Sequence, residues 1–355
     1  MKIVSKEDAM KAVKKNLTIN DIAAQAGVSK ATVSRVLNTP EKVAEKTRNR
    51  VLAVIRTTNY RPNPLARALN IQRTGIIGVI VSDITNPFYA LMVRNIEEVC
   101  RAHHHYIFLC NTDGRREEEE FYIRSLVEKK ADGIILGATQ MDSKNLHLLY
   151  ESEIPFIFVS RLPQERERCD YVTADNEQGG YMATQYLLSL GHTRIAYLGG
   201  RWETSSNLER FEGYKKALME RDLPPQEEYL FSGEFRMEGG YEEGLRILAL
   251  GKNRPTAVFC ANDYMAIGLL EACRERRVKV PEELSIVGFD DIPLSALKSI
   301  QLTTVSQSVA ELGALSGKIL IDKILNPQKR NVRQQVVFPP KLVVRKTCAP
   351  PKIRE

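Results

Sequence analysis

The feature that most constrains the fold is a series of short apolar runs that begins after Gly75 and alternates with amphipathic stretches. The runs read IIGVIV, YIFLCN, GIILG, FIFVS, RIAYLGG, TAVFCAND and LSIVGFDD, and stretches such as 88–103 and 177–190 separate them. Continuous apolar strands indicate a parallel sheet that helices cover on both faces. The series is too long for one sheet, so the chain is predicted to be an α/β protein with two doubly wound parallel sheets and a cleft between them.

Polar residues cluster directly after these strands, in the segments SDITNPFY, NTDG, SRLP, GGRWETSSNLER, ANDYM and GFDDI. In parallel α/β sheets, the groups that bind ligands lie just beyond the carboxyl ends of the strands. The clustering therefore predicts a small-molecule site in the cleft.

Ahead of this region, the segment GVSKATVSRVLN has the pattern of a short amphipathic helix. Val33, Val36 and Leu37 recur at the spacing of one buried helical stripe, and Ser29 stands at the capping position. The opposite face carries only small or basic side chains, which are Lys30, Ala31, Ser34 and Arg35.

A second short helix precedes the first, in the segment LTINDIAAQAGVS. Thr18 and Asp21 have the spacing of a capping box, and Gly27 permits the tight turn between the helices. The pair fits a helix-turn-helix whose second helix enters the DNA major groove. It fits an ordinary amphipathic hairpin with a solvated charged face equally well.

The charge distribution favours the first of these interpretations. Residues 1–74 contain 15 Lys and Arg against 5 Asp and Glu, a net charge of +10, whereas the remaining 281 residues contain 36 against 39, a net charge of −3. Such asymmetry is expected when a nucleic-acid-binding module is joined to a domain with another task.

The composition, with 43% apolar and 27% charged residues, is typical of a globular protein. No apolar run approaches the ~18 residues of a membrane span, and the first residues lack the apolar core of a signal peptide, so a cytoplasmic protein without membrane contact is expected. The six scattered cysteines form no CxxC pair and are expected to be free thiols.

Catalytic and metal-binding patterns are missing from the sequence. The run His103–His105 lacks metal-ligand spacing and is interpreted as a solvated turn. The motifs GxSxG, GxGxxG, GxxxxGK[ST] and HExxH do not occur. We therefore expect a protein that is not an enzyme and that needs no cofactor or metal.

A linker, RPNPLARALNIQRTG, joins the basic segment to the α/β region. Two prolines interrupt it before the run Leu65 to Asn70, which is long enough for little more than one and a half helical turns. So short a helix is marginal in isolation and is expected to form only when it docks against something. A conditional helix of this kind can act as a switch.

Several segments, in this order from about Leu17 to Val344, resemble the lactose/galactose repressor (LacI/GalR) family of bacterial transcription regulators. They are LTINDIAAQAGVSKATVSRVLN, NYRPNPLARAL, GVIVSDITNPFY, GHTRIAYLGG, CANDYMAIGLL and VGFDDIPLS. The resemblance implies a helix-turn-helix headpiece and a hinge helix joined to a two-lobed core like that of periplasmic sugar-binding proteins. It also implies a homodimer that binds a near-palindromic operator, most simply as a repressor.

The domain boundaries follow from the patterns and the resemblance together. Residues 1–16 are an N-terminal extension that is expected to be disordered, 17–61 the headpiece, 62–74 the hinge helix and linker, and 347–355 a tail. The core spans 75–346, with lobe 1 formed by about 75–174 plus 306–336 and lobe 2 by about 175–305 plus 337–346.

The resemblance assigns DNA contacts residue by residue. The base-reading positions are Lys30, Ala31, Ser34 and Arg35. The positions near phosphates are Thr18, Ser29, Thr32, Asn38, Tyr60 and Asn63. In the hinge, Ala66 and Leu69 are further DNA-binding positions, and Leu69 matches the leucine that family members insert into the minor groove, where an apolar wedge kinks the duplex.

The resemblance to the sugar-binding members also assigns an effector site. Its residues are Asn86, Phe88, Tyr89 and Arg161 from one lobe, Arg210, Phe235, Asn262 and Asp290 from the other, and Gln307 at a crossover, with Ser205 and Ser206 as weaker candidates. Amide, carboxylate and guanidinium groups bind hydroxyls, and aromatic rings cover the apolar faces of a sugar. The alternative is that the side chains of Asn262 and Asp290 only form hydrogen bonds with backbone groups of their loops.

The expected partners are operator DNA, a second copy of the chain and a small effector, which is a sugar, a sugar acid or a sugar phosphate. The family also takes purines or a partner protein, so the fold alone does not choose the effector. Two arginines in one pocket with one aspartate favour an acidic ligand. A solute-binding protein and a cleft enzyme, neither with a DNA function, are the competing interpretations.

Overall fold

The computed structural model describes residues 17–58, 60, 74–142 and 144–352, and the chain divides into two units, 1–73 and 74–355. We describe each unit by itself. The extension 1–16, most of the expected hinge 62–74, and Asn63, Ala66 and Leu69 lie outside the described residues.

The described part of the first unit contains three α-helices: α1 Ile19–Ala26, α2 Lys30–Asn38 and α3 Glu45–Thr58, with a 3₁₀ turn at Pro40–Lys42. The Asp21 amide donates a hydrogen bond to Thr18 Oγ1 (3.4 Å), and the Thr18 amide donates one to Asp21 Oδ2 (2.7 Å), which completes a capping box at the start of α1. Gly27 ends α1 in the left-handed region (φ +61°).

A small apolar core holds these helices together. Its fully buried members are Ile22, Ala23, Ala26, Val33, Val36 and Val51. Val33 and Val36 come from α2 at helical spacing, so the stripe predicted from the sequence is the buried face of that helix.

The second unit contains two six-stranded sheets, which confirms the α/β prediction. The first has the order β11-β5-β4-β3-β1-β2 and is parallel throughout. Its strands are β1 Ile76–Val81, β2 Tyr106–Asn111, β3 Gly133–Leu136, β4 Phe156–Val159, β5 Tyr171–Ala174 and β11 Gln335–Phe338. The helices α4 Pro87–Ala102, α5 Arg116–Glu128, α6 Leu146–Glu151 and α11 Val309–Leu325 pack with this sheet, and we call this half lobe 1.

The second sheet has the order β12-β10-β9-β8-β6-β7, and only β12 runs antiparallel to its neighbour. Its strands are β6 Ile195–Gly199, β7 Leu230–Ser232, β8 Ala257–Cys260, β9 Ser285–Asp290, β10 Thr303–Ser306 and β12 Lys341–Val343. The helices α7 Asn176–Ser189, α8 Ser205–Met219, α9 Met237–Ala249 and α10 Asp263–Glu275 pack with it, and we call this half lobe 2.

The chain passes between the lobes in three places in the described part of the core: after β5, after β10 and after β11. Lobe 1 extends to Phe338, two residues beyond the expected boundary, because β11 pairs with β5 along Gln335–Phe338. Pro339 and Pro340 follow, and they have no N–H group with which to continue the ladder.

The beginning of the expected tail, 347–355, packs into lobe 2. Thr347 Oγ1 donates a hydrogen bond to the Ile286 carbonyl (2.7 Å), and the Ala349 carbonyl accepts one from Ser285 Oγ (3.0 Å). Residues as far as Ala349 are therefore anchored to the second sheet.

The interpretation of His103–His105 as a solvated turn is wrong for His105. His103 and His104 are exposed, but His105 is buried, with Nε2 3.4 Å from Asp132 Oδ2. The reason is the left-handed backbone of His104 (φ +60°), which turns the chain so that the next side chain enters the protein at the start of β2.

Two further findings concern the described residues only. None of their helices is long and apolar enough to cross a bilayer. No group of three or more His, Cys, Asp or Glu side chains among them is arranged to hold a metal ion.

Candidate functional site

In the first unit, α2 presents a basic face opposite its buried stripe. Lys30, Ala31 and Arg35 are exposed and Ser34 is half-buried. No carboxylate of the described residues lies within 4 Å of the Lys30 or Arg35 side chain. Both cations are therefore available to an external anion, and the small side chains between them leave the helix backbone open to close approach.

The hydroxyl groups expected near phosphates have a local structural role. Ser29 Oγ accepts a hydrogen bond from the Thr32 amide (3.1 Å) and lies 2.9 Å from Thr32 Oγ1, while Thr18 caps α1. Tyr60 is half-buried against the apolar core of the first unit, and burial raises its pKa. Nothing is described for the side chain of Asn38.

In the core, a cavity lies between the two lobes. Its lining residues are Asn86, Phe88, Tyr89, Ser160, Arg161, Ser206, Arg210, Phe235, Asn262 and Asp290. Nine of these were proposed from the sequence, and Ser160 was missed. Gln307 stands behind the wall, where its Nε2 donates a hydrogen bond to Asp290 Oδ1 (2.6 Å).

The wall from lobe 1 is built at the ends of β1 and β4. Asn86 follows β1 and caps α4, because its Oδ1 accepts a hydrogen bond from the Phe88 amide (3.0 Å). The rings of Phe88 and Tyr89 meet edge to face with centroids 5.1 Å apart. These contacts fix an apolar surface beside a polar amide, which suits a ligand with both kinds of face.

Arg161 enters the cavity from a tight turn after β4. The Arg161 amide donates a hydrogen bond to the Val159 carbonyl (2.8 Å), which forces Ser160 into the left-handed region (φ +69°). The Arg161 guanidinium carbon lies 5.1 Å from the ring centroid of Phe235 and 5.9 Å from that of Tyr89. The cation is thus held between aromatic rings of both lobes.

The wall from lobe 2 is built at the ends of β8 and β9. Asn262 caps α10 through its Oδ1, which accepts a hydrogen bond from the Met265 amide (2.9 Å), and its Nδ2 donates to the Phe235 carbonyl (3.2 Å). Both ends of the Asn262 amide therefore hydrogen-bond to backbone, as the alternative interpretation expects, and the residue also lines the cavity. Asp290 is the last residue of β9 and faces Arg210.

Arg210 is a buried cation with several acceptors. Its Nε donates a hydrogen bond to Asn176 Oδ1 (2.9 Å), its Nη1 donates to the Ala261 carbonyl and lies 3.6 Å from Asp290 Oδ1, and its guanidinium stacks 3.7 Å over the Phe289 ring. Burial lowers the pKa of Arg210 and raises the pKa of Asp290 to about 7, although Arg210, Gln307 and Arg161 all act to lower the latter.

Three residues that line the cavity have left-handed backbones although none of them is glycine. They are Ser160 (φ +69°), Phe235 (φ +64°) and Asp290 (φ +112°). Such conformations cost roughly 1–3 kcal/mol each and gather at functional sites, where the surrounding structure holds them. Their concentration around one cavity is a signal that the sequence does not carry.

Hydrogen bonds also join the lobes beside the cavity. The Leu162 amide donates to Ser205 Oγ (2.8 Å), the Met141 amide donates to the Glu203 carbonyl (3.0 Å), and Arg201 Nη1 donates to the Gly114 carbonyl (3.0 Å). Ser205, a weaker effector candidate, therefore bridges the lobes and does not line the cavity.

Comparison with known proteins agrees with this division into two functional parts. The family model of the bacterial regulatory proteins of the lacI family matches residues 18–63, and that of the periplasmic binding protein-like domain matches 184–348. The HTH-type transcriptional repressor PurR of Photobacterium profundum is 36% identical over 331 residues, which cover 93% of this chain and 98% of the relative. The chain belongs to the LacI family of bacterial regulatory proteins.

Solved structures of LacI-family proteins resemble this chain in fold. The lac repressor dimer bound to operator and the anti-inducer ONPF has a TM-score of 0.83 at 28% identity, covering 94% of this chain and 100% of that one. A LacI family transcriptional regulator from Enterococcus faecium with bound ribose has a TM-score of 0.68 at 33% identity, covering 78% of this chain and 100% of that one. The chain is accordingly a DNA-binding transcriptional repressor of the LacI type with a small-molecule effector, and not an enzyme.

Proposed function

We propose that this LacI-family repressor binds a near-palindromic operator in the bacterial cytoplasm as a homodimer and that a sugar-like effector in the interlobe cavity controls its affinity for DNA. The observation that carries the effector class is the lining of the cavity. Amide, carboxylate and guanidinium groups stand beside aromatic rings, and this combination binds the hydroxyls and the apolar faces of a sugar. A structural relative with bound ribose supports the same class.

The DNA-binding part of the proposal rests on α2 and on charge. Lys30 and Arg35 are exposed, basic and without carboxylate partners among the described residues, and the segment 1–74 carries a net charge of +10. We assign base contacts to Lys30, Ala31, Ser34 and Arg35. We assign phosphate contacts to Thr18, Ser29, Thr32, Asn38, Tyr60 and Asn63, a minor-groove contact to Leu69 and a further DNA contact to Ala66.

An exposed apolar edge supports the homodimer. β2 is the edge strand of the first sheet, and its side chains Tyr106 and Phe108 are 79% and 50% exposed. A flat apolar edge strand is a template for pairing or packing with another chain unless something covers it. A second copy that covers this edge would give a two-fold dimer, whose symmetry matches that of a near-palindromic site.

The DNA function is tested by selecting bound sequences from a random duplex pool and measuring the affinity of Arg35→Ala for the selected duplex. Loss of a bidentate base contact is expected to reduce discrimination between the selected and a scrambled duplex by roughly 1–3 kcal/mol. Arg56→Ala, at the exposed end of α3, is the matched control and should affect both duplexes alike. Unchanged discrimination in Arg35→Ala would show that α2 does not read bases.

The effector class is tested by a thermal-shift screen of sugars, sugar acids, sugar phosphates and purine bases, because a ligand that binds only the folded state raises the melting temperature. We expect a sugar or sugar derivative to raise the melting temperature and Asp290→Asn to reduce the shift. A shift produced by purine bases alone would replace the sugar-like effector by a purine.

A further inference from the structure

The Arg161 guanidinium is a buried cation without a carboxylate partner. The residue is only 4% exposed, and no carboxylate of the described residues lies within 4 Å of its side chain. Its contacts are the rings of Phe235 and Tyr89. Arg210, in contrast, has Asn176, the Ala261 carbonyl and Asp290 around it. The two arginines of the cavity are therefore not equivalent, and only Arg161 retains its full set of donors for a ligand.

The charges of the cavity wall do not balance. Arg161 and Arg210 contribute two positive charges, Asp290 contributes at most one negative charge, and every other lining residue is neutral. Burial holds the pKa of Asp290 near 7, so its negative charge is incomplete at neutral pH. Asp263 directly follows the lining residue Asn262, but it does not add a negative charge to the cavity wall. Its carboxylate accepts hydrogen bonds from Ser295, Thr304 and the Ile292 amide, and the residue does not line the cavity.

A buried charge that nothing neutralises is expensive, and a ligand of opposite charge removes the cost. Building on the proposed sugar-like effector, we propose that the effector is an anionic sugar derivative whose carboxylate or phosphate is held by Arg161. The planar guanidinium matches either group through two parallel hydrogen bonds.

Ser160 is a position at which a counter-charge for Arg161 can be introduced. It lines the cavity next to Arg161 in sequence and has a left-handed backbone, which aspartate adopts more readily than most residues. Ser160→Asp therefore places a carboxylate beside Arg161 without asking for a new backbone conformation. It should convert the cavity from one that prefers an anion to one that prefers a neutral sugar.

The experiment is calorimetric titration of the full chain with matched pairs of probes: glucose with glucuronate and glucose 6-phosphate, galactose with galacturonate, and ribose with ribose 5-phosphate. Carboxylate and phosphate members tell the two anionic classes apart. For the wild type, we expect at least one acid to bind about tenfold or more tighter than its neutral partner, as a charge-assisted bidentate pair predicts.

Three variants of the cavity and one control complete the design. Arg161→Gln should abolish the preference for the acid, Arg161→Lys should retain only part of it, and Ser160→Asp should reverse it. Arg124→Gln removes an exposed arginine of lobe 1 and should leave the preference unchanged. Tight binding of a neutral sugar without preference for its acid would overturn the anionic effector and leave the sugar-like effector standing, whereas binding of purine bases alone would overturn both.

A second measurement does not depend on the identity of the effector. In a low-salt HEPES buffer, Arg161→Met should raise the melting temperature of the unliganded protein because it removes an uncompensated charge, and Ser160→Asp should raise it because it supplies the counter-charge. Inorganic phosphate should stabilise the wild type more than Arg161→Gln. A lower melting temperature for Arg161→Met together with a phosphate response independent of Arg161 would overturn the inference.

Discussion

At the scale of single residues, the cavity depends on a few side chains whose charge is set by burial. Asp290 is the clearest example, because its carboxylate is buried beside Arg210 and still has a pKa of about 7. Burial disfavours the charged form more than the neighbouring cation favours it. Charge in this cavity is therefore maintained at a cost to the unliganded protein.

This cost predicts a pH dependence of stability. Since the pKa of Asp290 is raised on folding from its ordinary 3.8, the folded state binds the proton more tightly, and the protein loses stability as the pH rises from about 4 to about 7. Asp290→Asn should flatten the fall in unfolding free energy over this range. Asp263, whose pKa rises from 3.8 to about 8, remains in the variant and should leave a residual slope from about pH 4 to about pH 8. Urea unfolding of the unliganded protein between pH 4.5 and 8 measures both slopes, and equal slopes in variant and wild type would contradict the assignment.

The sequence predicted the lining residues of the cavity where their position relative to a strand end decides whether they reach it. Asn86 and Arg161 follow strands of the first sheet, whereas Asn262 follows β8 and Asp290 ends β9 in the second sheet. All four lie at or beyond the carboxyl ends of parallel strands, so a one-dimensional pattern locates them in one cavity. Ser160 was missed because nothing in the segment SRLP reveals its left-handed turn. The partners of these side chains come from distant segments, and a pattern along the chain does not contain them.

At the scale of elements, one buried carboxylate holds the first described residues of the core, Thr74 and Gly75, in place. Asp132, just before β3, accepts hydrogen bonds from the amides of Thr74 (2.8 Å) and Gly75 (2.9 Å). His105, just before β2, contacts the same carboxylate through its Nε2. Burial raises the pKa of Asp132, but the hydrogen bonds from His105, Thr74 and Gly75 outweigh burial and hold the pKa below its ordinary value. The first described residues of the core are thus tied to two neighbouring strands.

Removing the charge of Asp132 should weaken its hydrogen bonds with the Thr74 and Gly75 amides. Asp132→Asn is expected to lower the unfolding free energy at pH 7 by about 1.5–3 kcal/mol, the range for hydrogen bonds to a charged group. Because the pKa of Asp132 is lowered on folding, the charge stabilises above pH ~4 and its contribution is lost as the pH falls below that value. Glu98→Gln, exposed on α4, is the control. If Asp132→Asn lowers the unfolding free energy no more than Glu98→Gln does, the hydrogen bonds to Asp132 do not stabilise the protein.

The elements themselves were largely predictable, because hydrophobic periodicity is a local property. The stripe of Val33 and Val36, the cap at Ser29 and the apolar strands of both sheets all follow from spacing in the sequence. The burial of His105 was not predictable, since it follows from the left-handed backbone of His104 and brings the ring to Asp132, 27 residues further along the chain. The return of β11 to lobe 1 as far as Phe338 depends likewise on its pairing with β5.

At the scale of the whole molecule, the account requires that lobe closure and ligand binding are coupled. Ser205→Ala removes the hydroxyl that accepts a hydrogen bond from the Leu162 amide across the lobes and leaves that buried donor unsatisfied only in the closed state. We expect ligand affinity to fall roughly 5- to 150-fold, which corresponds to a cost of about 1–3 kcal/mol. The fluorescence of Trp202, which lies between the interlobe residues Arg201 and Glu203, reports closure.

The matched control for Ser205→Ala is Ser232→Ala, which removes a hydrogen bond to the Gly200 carbonyl within lobe 2. Its ligand affinity should equal that of the wild type. Equal affinities in Ser205→Ala and Ser232→Ala would mean that this interlobe contact does not contribute to closure.

The central claim is that a ligand in the interlobe cavity controls the affinity of the headpiece for DNA. It is tested most directly by fluorescence anisotropy of the selected operator duplex at one fixed salt concentration, with and without a saturating concentration of the ligand found by titration. Coupling of about 1–3 kcal/mol predicts that the Kd for DNA changes roughly 5- to 150-fold, and that DNA changes the Kd for the ligand by the same factor. A Kd for the operator that stays the same at saturating ligand would contradict the account.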